Sequence, residues 1–236
     1  FEPDDWMWIE GSNTARAESQ GTRRGDEYRA FALLNLADRW SREALADLPS
    51  ESVVTYPDAA SAPEAIRPYL DLPSDMPTTI SETAAAITNG SSGRIEAAFA
   101  PQDYFRGGEF IYDESAPYEP GMDTGDPFAV MAALLDNKRG YCVHFASTFA
   151  VMARSQGIPA RVAVGYASFG EGEGRTEVRA SELHAWPEIF VDGLGWMAFE
   201  PTPGGPGVTP GQSTEGETAP SPEESCTRHS RSRRGS

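Results

Sequence analysis

The sequence predicts an α+β fold in which a central helix packs on an antiparallel sheet, with an N-terminal β-rich arm. Three observations carry this expectation. A stretch from about 142 to 157 has helical spacing and is apolar on most sides, as a core helix must be. An alternating run, Arg161-Val-Ala-Val-Gly-Tyr166, follows it as a strand, and two further strands flank the turn at Asp192-Gly-Leu-Gly195. A helix followed by antiparallel strands belongs to the α+β class.

Taken in order, residues 1–73 read as an N-terminal extension, partly β. Trp6, Trp8 and Ile9 sit among polar, Gly-rich connections. The apolar patch at 28–36 reads as a strand, although its period also permits a helix. Residues 58–73 are rich in Pro and Ala and predict an irregular connector.

A second, folded domain is expected over 74–203. From Ser74 the pattern turns helical, with Ile80, Ala84 and Ile87 on one face and Asn89-Gly90 as a stop. A short second helix follows, with Ser91 or Ser92 as cap and Ile95, Ala98 and Phe99 as its apolar side, limited by Pro101. Phe110-Ile-Tyr112 reads as a short extended piece leading into an acidic loop at 113–126. Asp126-Pro127 is a capping side chain followed by proline at the first helical position, so a helix should run over 127–137 and end by Gly140. The core helix then starts near Cys142, carries Phe145, Phe149 and Met152, and stops at Gly157 before Ile158-Pro159. Residues 168–175 form a Gly/Glu loop. Beyond 203 the run of Gly, Pro, Ser, Thr and Glu cannot bury enough apolar surface to order itself, so 204–236 is expected to be a disordered tail.

Composition narrows the function. At 236 residues and 39% hydrophobic content the chain can bury an ordinary core. Its two cysteines, Cys142 and Cys226, are too few for a disulfide framework and show no Cys-x-x-Cys spacing. A net charge of -17 argues against nucleic acid and favours a cationic or neutral partner. No window approaches the roughly 20 apolar residues of a membrane span. The chain opens on Phe1-Glu2-Pro3 without a methionine or signal sequence, as a piece of a longer protein would. Neither a His-Glu-x-x-His pair nor an Asp-x-Asp-x-Asp-Gly loop is present, and no metal or cofactor is expected.

The chemistry is concentrated between 140 and 203. A cysteine in the first turn of a buried helix points its sulfur at unpaired backbone N–H groups and the positive end of the helix dipole, which favours thiolate. The alternative is that Cys142 is a small buried hydrophobe, as most free cysteines are. Of the three histidines, His144 lies two residues along the same helix, where side chains diverge, and His229 lies in the tail. That leaves His184, on a strand where His184, Trp186 and Glu188 share a face. Its orienting acid is sought among Glu182, Glu188, Asp192 and Glu200. The first two sit beside His184 on its own strand and Asp192 belongs to the turn, so Glu200 is selected.

Register tests that selection. An even loop pairs Val191 with Trp196 and turns Glu200 to the wrong face; an odd loop or bulge pairs Glu200 with Trp186, diagonal to His184. An odd loop or a bulge between Val191 and Trp196 is therefore expected. Pro187 should place its missing N–H at an unbonded position.

Gly-Tyr-Cys142-Val-His-Phe-Ala, Arg154-Ser-Gln-Gly-Ile-Pro-Ala-Arg161-Val-Ala-Val-Gly-Tyr166, His184-Ala-Trp186 and Gly195-Trp196 to Phe199-Glu200-Pro-Thr-Pro203 together resemble the transglutaminase-like superfamily. They are most similar to bacterial, membrane-anchored members whose catalytic domain is extracytoplasmic. The resemblance spans about 126–203 and continues weakly back to Tyr69-Leu-Asp-Leu-Pro73. It implies a papain-like core with a Cys-His-Asp triad, carried here by Cys142, His184 and Glu200. Glu200 stands where Asp is usual, Val143 where Glu is frequent, and Pro187 follows His-Ala-Trp in place of a more ordinary strand residue.

The implied reaction is acyl transfer from a protein or peptide glutamine to an amine acceptor or to water, through a thioester. Cys142 N–H would hold part of the oxyanion, with Tyr141 as a candidate second contributor. Trp186 and Trp196 would line a slot for the glutamine chain, or else pack between strands. The acidic loop would draw a lysine acceptor by charge, or else stand solvated. The competing functions are a cysteine peptidase or amidase acting on peptide or cell-wall substrate, and a non-catalytic scaffold that keeps the fold.

Overall fold

The computed structural model describes residues 6–9, 14–17, 42, 48–118, 120–166 and 180–204. The strand expected at 28–36, the loop at 168–175 and the tail beyond 204 lie outside these residues. The chain divides into two compact units, Phe1–Ala37 and Asp38–Ser236. In the first, β1 (Trp6–Ile9) pairs antiparallel with β2 (Thr14–Ala17), Trp6 opposite Ala17.

The second unit is the α+β body. Its 58–73 stretch is irregular apart from two short 3-10 turns, Ala59–Ser61 and Arg67–Tyr69. Helix α1 spans Thr78–Thr88 and buries Ile80 and Ala84. It begins four residues later than Ser74 because Pro77 occupies its cap and holds Met76 out of the helical region. Asn89 N–H closes it on the Ala85 carbonyl, and Gly90 leaves at φ +91°.

Helix α2, Arg94–Arg106, departs from the sequence reading at both ends. Its cap is Gly93 and not Ser91 or Ser92, and the Arg94 N–H is met instead by Ser50 Oγ, 2.9 Å away across the fold. The helix also runs through Pro101. A proline there removes one backbone bond and costs about 3 kcal/mol. Against that, Phe99 and Phe105 beyond the early turns are buried, and Phe105 packs edge-on against Phe110 and Phe145 at 5.0 and 5.5 Å. Each such burial contributes about 1.5–3 kcal/mol, enough to offset the break.

Next comes β3 (Ile111–Tyr112), parallel to β4 (Arg139–Gly140). Helix α3 (Pro127–Asn137) starts where the Asp126 carboxylate accepts from Phe128 N–H at 2.8 Å, and ends on Lys138 in the left-handed region. Helix α4, Cys142–Ser155, is the core helix, with Phe145, Phe149 and Met152 wholly buried. Gly157 ends the turn at φ +74°, where a Cβ would meet the Tyr56 carbonyl oxygen at 2.1 Å.

The sheet is β5 (Ala160–Tyr166), β6 (Leu183–Val191) and β7 (Gly195–Ala198), antiparallel in that order. Val191 pairs with Gly195 and Phe190 with Trp196, so the connection is the three residues 192–194. This is the odd loop expected, with Gly193 and Gly195 at φ +78° and +84°. Residues 185, 187, 189 and 191 of β6 are buried, and Ile189, Val191 and Phe199 join Phe99, Phe105, Phe145 and Phe149 in one core. Pro187 accepts from Phe199 N–H and donates nothing in return, and β7 stops one residue short of that point.

Candidate active site

The phase of the β5–β6 ladder is set by Phe190 N–H donating to the Pro159 carbonyl at 3.0 Å. Hydrogen-bonded pairs then fall at every second residue, and Ala185, opposite Val164, is not one of them. Its N–H faces the other way, towards Pro201, which lies beyond the last paired residue of β7. The thiol of Cys142 takes this vacant donor. The sulfur thus sits where the sheet runs out, at the mouth of α4, and Cys142 is half-exposed.

Three residues act on the thiol. Burial pushes its pKa up, but the hydrogen bond to His184, the Ala185 N–H, the charge of His184 and the Val143 N–H together hold it below its ordinary value of 9.0. His184 is 8% exposed, and its Nε2 lies 2.6 Å from Glu200 Oε2. That leaves Nδ1 as the ring nitrogen available to the sulfur. Burial works against the imidazolium, yet the bond to Cys142, the bond to Glu200 and the charges of both raise His184 to about 9. Thiolate and imidazolium therefore favour each other.

Glu200 is 3% exposed and held at every polar atom. Oε1 accepts from Thr202 N–H at 2.9 Å, its own N–H donates to Gln102 Oε1 at 2.9 Å, and its carbonyl accepts from Arg106 Nη1 at 3.2 Å. The structure therefore brings Cys142, His184 and Glu200 into one hydrogen-bonded row. The longer glutamate arm reaches because the register sets Glu200 opposite Trp186, diagonal to the histidine.

The three residues expected to bind substrate separate. Tyr141 caps α4, and its hydroxyl lies 3.4 Å from that of Tyr118. Hydrogen bonding to Tyr118, burial and the charges of Tyr118, Cys142 and Tyr112 push it up to about 12. Tyr112 is likewise near 12, through burial first, then the charges of Cys142 and Glu114 and the bond to Glu114. Both phenols stay protonated at neutral pH beside the thiol. Trp186 stacks on His184 with 6.3 Å between centroids and donates to Glu188 at 3.3 Å.

Trp196 is not at the site. It pairs with Phe190, six residues along β6 from His184 and therefore about 20 Å away. There it packs on Tyr69, Phe190 and Arg161. The same register that delivers Glu200 carries Trp196 to the far end of the hairpin.

Sequence reasoning missed Gln102, Arg106, Thr202, Tyr118 and the Ala185 N–H. Gln102 and Arg106 lie past Pro101, where the helix was expected to stop. Tyr118 stands in a loop without periodic signal, and the Ala185 donor follows only from the ladder. Among the described residues no group of three His, Cys, Asp or Glu side chains is arranged to hold a metal ion.

An α+β frame carrying a helix-mouth thiol, a strand imidazole and a carboxylate in one row defines the papain-like class of folds. The chain belongs to the transglutaminase-like superfamily, whose family model matches residues 81–201, just over half its length. It is 32% identical over 158 residues to the uncharacterized protein YebA of Bacillus subtilis, covering 64% of this chain and 20% of that protein. It is 34% identical over 88 residues to a protein-glutamine gamma-glutamyltransferase of Pseudomonas aeruginosa, covering 36% of this chain and 12% of the relative. The chain thus matches a fifth or less of these relatives' lengths. The crystal structure of the periplasmic domain of TgpA from Pseudomonas aeruginosa, bound to ethylmercury, superposes with a TM-score of 0.48 at 25% identity, covering 61% of this chain and 50% of that one.

Proposed function

We propose that this domain transfers the acyl group of a protein or peptide glutamine through a cysteine thioester. The hydrogen-bonded row of Cys142, His184 and Glu200 is the observation that supports this reading. The Cys142 thiolate attacks the carboxamide carbon, forming the C–S bond while the carbonyl oxygen takes the electron pair. The Cys142 N–H, an unpaired donor at the start of α4, meets that oxyanion. As the tetrahedral intermediate collapses, the imidazolium of His184 gives its proton to the departing nitrogen and ammonia leaves. The neutral imidazole then removes a proton from an incoming primary amine, or from water, and the thioester is resolved. Glu200 keeps the ring oriented and stabilises its charged form. Tyr141 and Trp186 flank the acyl chain.

Amine incorporation into a glutamine peptide by wild type and by Cys142→Ala tests the assignment. Incorporation by wild type alone is expected, and activity surviving in the variant would end this mechanism. Ammonia release without incorporation would assign the site to hydrolysis, as a peptidase or amidase. A thiol inert to iodoacetamide at neutral pH would favour a scaffold.

The same reading places the domain outside the cytoplasm in a membrane-tethered protein, in keeping with its resemblance to extracytoplasmic members of the family. No helix among the described residues is long and apolar enough to cross a membrane, so the tether would lie outside them. Alkylation of the domain in intact cells by a membrane-impermeant maleimide is expected, and protection until lysis would refute the placement.

A further inference from the structure

One buried ionisable side chain near the thiol has no part in the mechanism above. His144 is 5% exposed, in the first turn of α4, and both ring nitrogens are engaged. Nδ1 accepts from the Tyr141 N–H at 3.3 Å, so the ring proton sits on Nε2, which lies 3.1 Å from the Tyr118 hydroxyl. Burial lowers the pKa of His144, which keeps this neutral tautomer. The Tyr141 ring packs edge-on against the imidazole at 4.1 Å and the Tyr118 ring at 5.4 Å.

The bond from Tyr141 meets only Nδ1, and the buried Nε2–H is met by Tyr118. The bond to Tyr118 is different, because it reaches a residue of the acidic segment 113–126 that is 43% exposed and adds little to the core. Among the described residues the segment is also tied at its start, where Asp113 meets Arg139 at 2.9 Å and its N–H donates to the Gly140 carbonyl. It is tied again beside Tyr118, where the Pro117 carbonyl accepts from Asn137 at 3.5 Å, and at its end, where Asp126 caps α3. Tyr118 is its contact with the mouth of α4. There Tyr118, Tyr112 and Val143 expose large side chains beside a half-exposed thiol.

We propose that His144 is a positioning residue for the acyl donor: through Tyr118 it fastens the acidic segment to the helix mouth, so that Tyr118 and Tyr141 stand as one wall of the site beside Cys142. This rests on the acyl-transfer reading. The residue acts on binding and does not touch the reacting atoms.

The test uses two alkylating reagents on the intact chain. Iodoacetamide reads the thiolate alone. A carbobenzyloxy-glutaminyl peptide carrying a chloromethyl ketone in place of the carboxamide reads the wall through its inhibition constant, and the chemistry through its limiting rate. Tyr118→Phe removes the hydroxyl's bond to His144 and its longer contact with Tyr141 at an exposed position, and does not threaten folding. His144→Asn keeps an acceptor near the place of Nδ1 and loses Tyr118, whereas His144→Gln reaches Tyr118 and loses Tyr141. Loss of one net hydrogen bond predicts an inhibition constant raised about five- to tenfold in Tyr118→Phe and His144→Asn, with His144→Gln nearer wild type. The limiting rate and the iodoacetamide rate should stay within about twofold. An unchanged inhibition constant in Tyr118→Phe would overturn the proposal, as would an equal loss in all three readouts. Wild-type Cys142 inert to both reagents would overturn the acyl-transfer reading itself.

Discussion

Replacing Glu200 by glutamine separates the charge of this side chain from its shape. Both carboxylate oxygens are in use, Oε1 towards Thr202 N–H at 2.9 Å and Oε2 towards His184 Nε2 at 2.6 Å. An amide has a single acceptor oxygen, so while His184 is protonated one N–H donor is left facing an NH2 in either orientation. At a side chain 3% exposed this costs about 1–3 kcal/mol of stability. The loss of charge acts on His184. Its pKa of about 9, against an ordinary 6.5, corresponds to about 3 kcal/mol in favour of imidazolium, held up by Cys142 and Glu200 against burial. Without the carboxylate the midpoint should fall by about one pH unit or more. A raised pKa contributes stability that is fully present below 6.5 and disappears as pH rises through about 9. The variant should therefore melt lower near pH 6 and lose less on going to pH 10. The chain has three histidines, so an NMR titration of imidazole resonances follows His184 directly. A midpoint still near 9 in Glu200→Gln, with an unchanged melting slope, would refute the pairing.

Three other outcomes follow from the same geometry. Deleting Leu194 makes the hairpin loop even, turns Glu200 to the opposite face and should lower the His184 midpoint while the sheet persists by circular dichroism; an unmoved midpoint would show that the register does not set the site. Gly157→Ala places a Cβ against the Tyr56 carbonyl at positive φ and should destabilise by more than about 1 kcal/mol in urea unfolding, with an unshifted midpoint counting against the contact. On acidification, the rate of Cys142 alkylation should fall as the solution passes the lowered thiol pKa, at a more acidic midpoint than that of a free thiol. His184→Ala should return that limb towards the ordinary value, and an unchanged profile would show that the histidine does not activate the sulfur.

Local signals made much of the domain legible. Asp126-Pro127 is a cap followed by a fixed φ, the spacing of Phe145, Phe149 and Met152 marks a buried helix, and alternation marks β5; all three depend on near neighbours in the chain. The choice of Glu200 among four acids rested on strand period plus one assumption about loop length, and the three-residue loop satisfied it. What failed was non-local. Pro101 stops an isolated helix, but Phe105 packs against Phe110 and Phe145 strongly enough to carry α2 past it. With that helix cut short, Gln102 and Arg106 were out of sight, although they hold the backbone of Glu200.

The sequence by itself determined which side chains are proposed to bear the chemistry, because thiol, imidazole and carboxylate are scarce near a helix start and two strands. Only the tertiary structure decided how they meet. The sulfur occupies the gap where β7 ends and an Ala185 N–H has no strand partner, a vacancy created by the pairing of distant segments. The role of His144 was decided in the same way, by a tyrosine 26 residues away whose loop carries no pattern of its own.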